Sequence, residues 1–183
     1  GNIKLLHAEI FGYYSRLQNQ KLEESEAKEL ERMIFASRNI MNSLKNFKGI
    51  RHDMDDFNGS ENVYLNDQYT SFRQRLLVVY NDMNEILDQE SKEEQYHGLL
   101  KAFVRIEEAD KMCVNETLKA VAEGRIKDLE ISSMLLVNRL FTQACRLQIF
   151  SLKDLLLTQE QIANFDRALD MKEIIEEEKE KKS

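Results

Sequence analysis

Residues Met33–Asp53 read MIFASRNIMNSLKNFKGIRHD, and residues Met134–Asp154, 101 positions further on, read MLLVNRLFTQACRLQIFSLKD. Laid one over the other, Arg38, Lys45 and His52 fall on Arg139, Arg146 and Lys153, so cationic or titratable side chains recur at heptad spacing in both copies. The apolar frame moves with them, because Met33, Ile34 and Ile40 fall on Met134, Leu135 and Phe141. The shift reaches back into the preceding segment, where Leu5, Ala8, Glu9 and Leu17 fall on Ile106, Ala109, Asp110 and Leu118. A repeat of this length is one supersecondary unit used twice, so a site is expected as a related pair or between the halves.

Composition points the same way. The 183 residues include no proline, no tryptophan and only six glycines. Sheet proteins of this size need many tight turns, and turns recruit Gly and Pro for their backbone angles, so long helices are expected. With 32% charged and 42% hydrophobic residues, those helices have one apolar and one solvated face. A net charge of −7 argues against nucleic acid, whose phosphates are bound by a positive field. Cys113 and Cys145 lie inside helical patterns and read as small buried apolar residues of a reducing compartment, not as a disulfide or metal pair. No apolar run reaches the roughly 18 residues of a bilayer span and no signal peptide opens the chain, so it is expected to be soluble. It opens Gly1-Asn2 without a methionine, as a piece cut from something longer does.

Apolar spacing of three and four residues divides the chain into six helical stretches. The first spans about Ile3 to Gln20. The second runs from near Ser25 to Phe57, a rod of roughly 50 Å that Gly49 is expected to bend, and ends at Asn58-Gly59-Ser60. The third spans Glu61 to Asp88. Ser91 with Glu94 forms a capping box that opens the fourth, and Gly124 is placed to stop it in a left-handed conformation. The fifth, Ile126 to Leu157, is the most apolar and is expected to lie deepest. Thr158 with Gln161 caps a last helix that decays into the charged run 176–182, read as a frayed, solvated end. This gives an all-α fold of six antiparallel helices, either one bundle or two fused three-helix bundles: residues 1–90, residues 91–172, and a charged tail at 173–183. The second and fifth helices, equivalent in the repeat, are expected to pack along one another.

The heptad-spaced cations project from one side of each of these two helices, and Lys48 widens the first stripe. One reading is an anion- or membrane-facing groove built twice, from Arg38, Lys45, Lys48 and His52 and from Arg139, Arg146 and Lys153. The other is ion pairing, with Glu9 and Asp110 neutralising the cations across each half. A di-iron carboxylate bundle needs two Glu-x-x-His pairs, and only Glu94 with His97 fits. Asp166 and Asp170 are four residues apart but have no visible partner ligands. No phosphate-binding glycine loop, nucleophile elbow or paired Cys and His is present, so no catalytic activity and no cofactor are expected. His52 as a phosphorelay histidine rests on nothing beyond an exposed imidazole.

Three phrases carry a family likeness: ASRNIMNSLKNFKGIRHDMDDF at Ala36–Phe57, FRQRLLVVY at Phe72–Tyr80 and KDLEISSMLLVNRLF at Lys127–Phe141. Together they resemble the intracellular PhoU-like domain that follows the membrane part of bacterial Na+/phosphate cotransporter family proteins. The resemblance implies a pair of three-helix bundles on the cytoplasmic side of the inner membrane. Its implied partner is the transmembrane transporter part of the same polypeptide, with inorganic phosphate as the solute and regulation as the role. It leaves self-association open, and the alternatives are a stand-alone adaptor or a metal-binding phosphate-signalling regulator. Soluble PhoU proteins hold metal clusters with a Glu followed four residues later by an Asp on the equivalent helix of each half. Here those positions are Ser37 and Met41, then Asn138 and Thr142, so the resemblance implies that the acidic ligands are gone while Arg38 and Arg139 stay beside them.

Overall fold

A computed structural model describes residues 2–180, with side chains as far as residue 171. The reading of 173–183 as a solvated tail therefore lies outside the described side chains. The described residues form seven helices and no strand: α1 Asn2–Leu17, α2 Glu24–Gly49, α3 Arg51–Asn58, α4 Val63–Leu87, α5 Lys92–Ala122, α6 Asp128–Leu156 and α7 Gln159–Glu180.

The sequence signals account for most helix ends. The Ser91 hydroxyl accepts from the Glu94 amide at 3.1 Å and donates to the Glu94 carboxylate at 2.7 Å. Thr158 and Gln161 close a reciprocal box, at 3.1 Å to the Thr158 amide and 3.3 Å to the Gln161 amide. Gly124 has a φ of 67°, and the Arg125 amide behind it returns to the Ala120 carbonyl at 2.9 Å. A left-handed residue just past a helix end satisfies carbonyls that the helix leaves open.

One expectation is corrected. The single rod from Ser25 to Phe57 is two helices, so the count is seven instead of six. Ile50 sits between them at φ −94° and ψ 0°, with its side chain 3% exposed. Its amide still donates to the Asn46 carbonyl at 3.2 Å, and its carbonyl accepts from the Met54 amide at 3.0 Å. The break thus redirects the chain while keeping these backbone groups paired. It lets Ile50 and Phe57 both enter the core and lays α3 against α4.

The broadest helix–helix contact is α2 along α6, the pairing expected from the repeat. Small residues permit it: Ala36, Ser43, Ala144 and Ser151 are all buried in this seam. Ser43 and Ala144 are equivalent under the 101-residue shift. Ser151 donates to the Ala36 carbonyl at 3.0 Å, and Arg32 of α2 donates to the carbonyls of Asp154 and Leu157 at the end of α6. A cation there satisfies orphan carbonyls and complements the helix dipole.

From α6 the packing continues to α5, from α5 to α4, and from α4 to α3, and these helices enclose one apolar centre that α7 enters through Phe165. Phe72, Leu99, Met134, Val137, Ile149 and Phe165 lie there, essentially without exposure. Each contributes roughly 1.5–3 kcal/mol of hydrophobic stabilisation. α4 packs chiefly on α5 and α3, so contacts cross the expected division between residues 90 and 91. α1 lies on α2 and buries none of its residues.

Candidate functional site

The two cationic stripes have different fates. Arg38, Lys45 and Lys48 on α2 and His52 on α3 are exposed. Arg38 lies 5.9 Å from the Phe11 ring centroid, and His52 stands 3.8 Å from Asp56 on its own helix. Lys48, with Arg51 and Arg73, borders a 410 Å³ groove floored by Phe47, Phe72 and Phe141. On α6 only Arg139 is exposed. Arg146 makes a two-pronged contact with Glu107 of α5, through Nε and Nη2. Lys153 is 2.8 Å from Asp166 and 3.7 Å from Asp154, lies over the Phe150 and Phe165 rings, and its side chain is only 11% exposed. Burial raises the Asp154 carboxyl above its ordinary value, with Lys153 opposing. Helices α5 and α7 cover this end of α6, whereas on α2 the side chains of Arg38, Lys45 and Lys48 stay exposed even though α1 lies on that helix.

Ion pairing therefore holds for Arg146 and Lys153, though not through the carboxylate expected. Asp110 turns to α6 itself. Its Oδ1 accepts from Asn138 Nδ2 at 2.7 Å and from Thr142 Oγ1 at 2.8 Å. Arg75 of α4 donates to the same two residues, Nη1 to Asn138 Oδ1 at 2.9 Å and Nη2 to Thr142 Oγ1 at 3.3 Å. The guanidinium carbon is 5.1 Å from the Phe72 centroid and 4.9 Å from that of Phe141. Asn138 and Thr142 are buried one turn apart, so the four side chains form a polar node inside the apolar bundle. A 240 Å³ cleft beside it is lined by Arg75, Arg105, Ile106 and Cys145.

Asn138 and Thr142 are the positions where the resemblance places metal-binding acids. They offer an amide and a hydroxyl, next to one carboxylate and one guanidinium. A hard divalent cation needs several anionic oxygens, and here it meets the fixed charge of Arg75. The node does not fit a metal cluster. Among the described residues no group of three His, Cys, Asp or Glu side chains is arranged to hold an ion. Asp166, weighed with Asp170 as a cation pair, instead receives Lys153. Glu93 pairs with His97 at 2.8 Å, and Glu94 is engaged at the helix cap.

The related positions in the first half are different again. Ser37 shares a 2.7 Å hydrogen bond with His7 Nδ1 of α1, and both line an apolar groove of 630 Å³ between α1 and α2. Glu9, the repeat equivalent of Asp110, and Met41 line it too. Sequence reasoning missed Arg75 and Glu107. Arg75 is signalled only as a cation breaking into the apolar run of Phe72, Leu76 and Val79.

The cysteines behave as expected of buried apolar residues. Burial pushes the Cys113 thiol up to about 11 and the Cys145 thiol up to about 12, so both are protonated at neutral pH. No helix among the described residues is long and apolar enough to cross a membrane. Comparison of the chain with protein families, with curated proteins and with solved structures gives no match.

Proposed function

We propose that this chain is a PhoU-like regulatory domain of a sodium-dependent inorganic phosphate transporter, held at the cytoplasmic face of a bacterial inner membrane by the transporter part of the same polypeptide. The reading takes the fold as two related three-helix units, α1 to α4 and α5 to α7, with α2 and α3 together as one arm. The observation that carries it is the seam between α2 and α6, where repeat-equivalent helices meet and the equivalent small residues Ser43 and Ala144 are both buried. The three family-like phrases fall on α2 with α3, on α4 and on α6; α2 and α6 build this seam, and α4 and α6 supply Arg75 and Asn138 of the polar node.

The proposed role is conformational and includes no catalytic step. A domain biases a transporter only if it makes different contacts in the transporter's different states. The exposed cations Arg38, Lys45, Lys48 and Arg139 are available for such contacts with an anion or an acidic transporter loop. Metal-dependent signalling is disfavoured by Arg75, which occupies the place a cation cluster needs.

The test is the double charge reversal Arg38→Glu/Arg139→Glu in the native cells, read as sodium-driven phosphate uptake and its response to external phosphate. The expected result is altered regulation with an unchanged melting temperature of the purified chain. Unaltered regulation in a variant that folds and accumulates normally overturns the role of these cations.

A further inference from the structure

The repeat supplies an internal control for α1. Leu5 is 67% exposed and its equivalent Ile106 is 5% exposed; Met33 is 48% exposed and its equivalent Met134 is fully buried. One supersecondary unit is thus used twice, once covered and once open. In the second use, α4 lies across α5 and touches α6. In the first, α1 carries Ile3, Leu6, Ile10 and Tyr13 along the groove and buries none of them. Two helices alone cannot enclose their apolar stripes, and a stable layer needs further elements against it.

We propose that a second copy of this chain covers the α1–α2 groove, two protomers meeting about a two-fold axis to form a four-helix bundle from α1, α2 and their counterparts. Area supports this occupant. Six side chains lining the groove, Ile3, Leu6, Ile10, Tyr13, Met33 and Leu155, are each 38–58% exposed. At roughly 200 Å² for a large side chain they offer on the order of 600 Å² per protomer. That reaches the roughly 600–1,000 Å² per partner of a stable interface. Charge supports it as well. A two-fold contact sets a patch against itself, which a single-sign patch forbids, and besides the phenols of Tyr13 and Tyr14 the ionisable groups lining this groove are one carboxylate, Glu9, and one imidazole, His7. Up-and-down bundles of four helices are the common way in which such hairpins complete a core. The proposal is independent of the transporter reading.

Sedimentation equilibrium of the 183-residue chain over about 1–100 µM tests it, since a dimer of useful stability assembles in that range. The expected species has twice the 21.6 kDa chain mass. Ile10→Glu is expected to return the monomer with unchanged helix content, because α1 contributes nothing buried to the protomer. Leu77→Glu, on the exposed side of α4, is expected to remain dimeric. A monomeric wild-type chain throughout the range overturns the proposal, and so does a dimer that survives Ile10→Glu. A monomer that instead binds vesicles of anionic phospholipid through α1 overturns it in favour of a bilayer as the occupant.

Discussion

Arg75 and Asp110 hold the same two side chains from different helices: Arg75 donates to Asn138 and Thr142, and Asp110 accepts from both. The amide and the hydroxyl therefore relay between a guanidinium and a carboxylate. Charge is balanced without the two acidic residues that a metal cluster requires. Arg75→Met leaves Asn138 Oδ1 without its donor and Asp110 without a nearby guanidinium. The expected loss is about 1–3 kcal/mol, read as a lower urea midpoint at constant slope. Arg75→Lys is expected to recover little of it, since an ammonium lacks the planar fork that spans two acceptors between aromatic rings.

Elemental analysis gives a second check on the node. The purified chain is expected to carry well below one equivalent of bound iron, zinc, manganese or magnesium after dialysis. A stoichiometric metal lost on Asp110→Ala contradicts the reading that the node does not fit a metal ion.

The buried thiols set a pH dependence. Cys113 and Cys145 hold their protons more tightly when folded than the ordinary thiol value of 9.0, and Tyr64 is raised in the same sense by burial. A group whose folded pKa is raised contributes stability below its unfolded pKa and loses it as pH rises toward the folded one. The melting temperature is therefore expected to fall from pH 9 upward, less steeply in Cys145→Ala. At pH 7.5 a thiol reagent is expected to modify neither cysteine in the folded chain and both in denaturant.

Gly98 marks the close approach of α4 to α5. A Cβ built there lies 2.8 Å from Ile86 Cγ1, too near to be accommodated without a shift. Gly98→Ala improves helix propensity by about 1 kcal/mol, yet overpacking costs about 1–3 kcal/mol, so net destabilisation is expected. In an Ile86→Ala background the sign is expected to reverse. Urea titration of the two single variants and the double variant measures this.

Arg32 ties the start of α2 to the end of α6 through the carbonyls of Asp154 and Leu157. Hydrogen bonds from a charged donor are worth about 1.5–3 kcal/mol, and Arg32→Ala is expected to cost an amount in that range. Faster amide exchange should appear first around Leu157 and Thr158.

Much of the fold is legible in the sequence because helix ends have local chemistry. Ser91, Gly124 and Thr158 each announce a boundary through a backbone group that they satisfy. The pairing of α2 with α6 is legible because the two helices are equivalent in the repeat. The break at Gly49–Ile50 is legible only as the bend expected at Gly49; that it divides the rod into two helices has a tertiary cause, since α3 lies over α4. The stripes show the same limit more sharply. Lys45 and Arg146 are equivalent in spacing and in sequence, yet one is solvated and the other is clamped by Glu107. Spacing tells which side of a helix a cation occupies, and the neighbouring helix decides whether it stays free. Arg75 escaped notice because a cation inside an apolar stripe is easily assigned to the wet face until its ring partners are seen.

The claim that this chain regulates phosphate transport is tested most directly by sodium-driven uptake of radiolabelled phosphate in native cells, with the segment encoding residues 1–183 either intact or removed and transporter abundance matched. The account predicts that removal changes how uptake responds to external phosphate. Identical uptake and an identical response in both strains would contradict it.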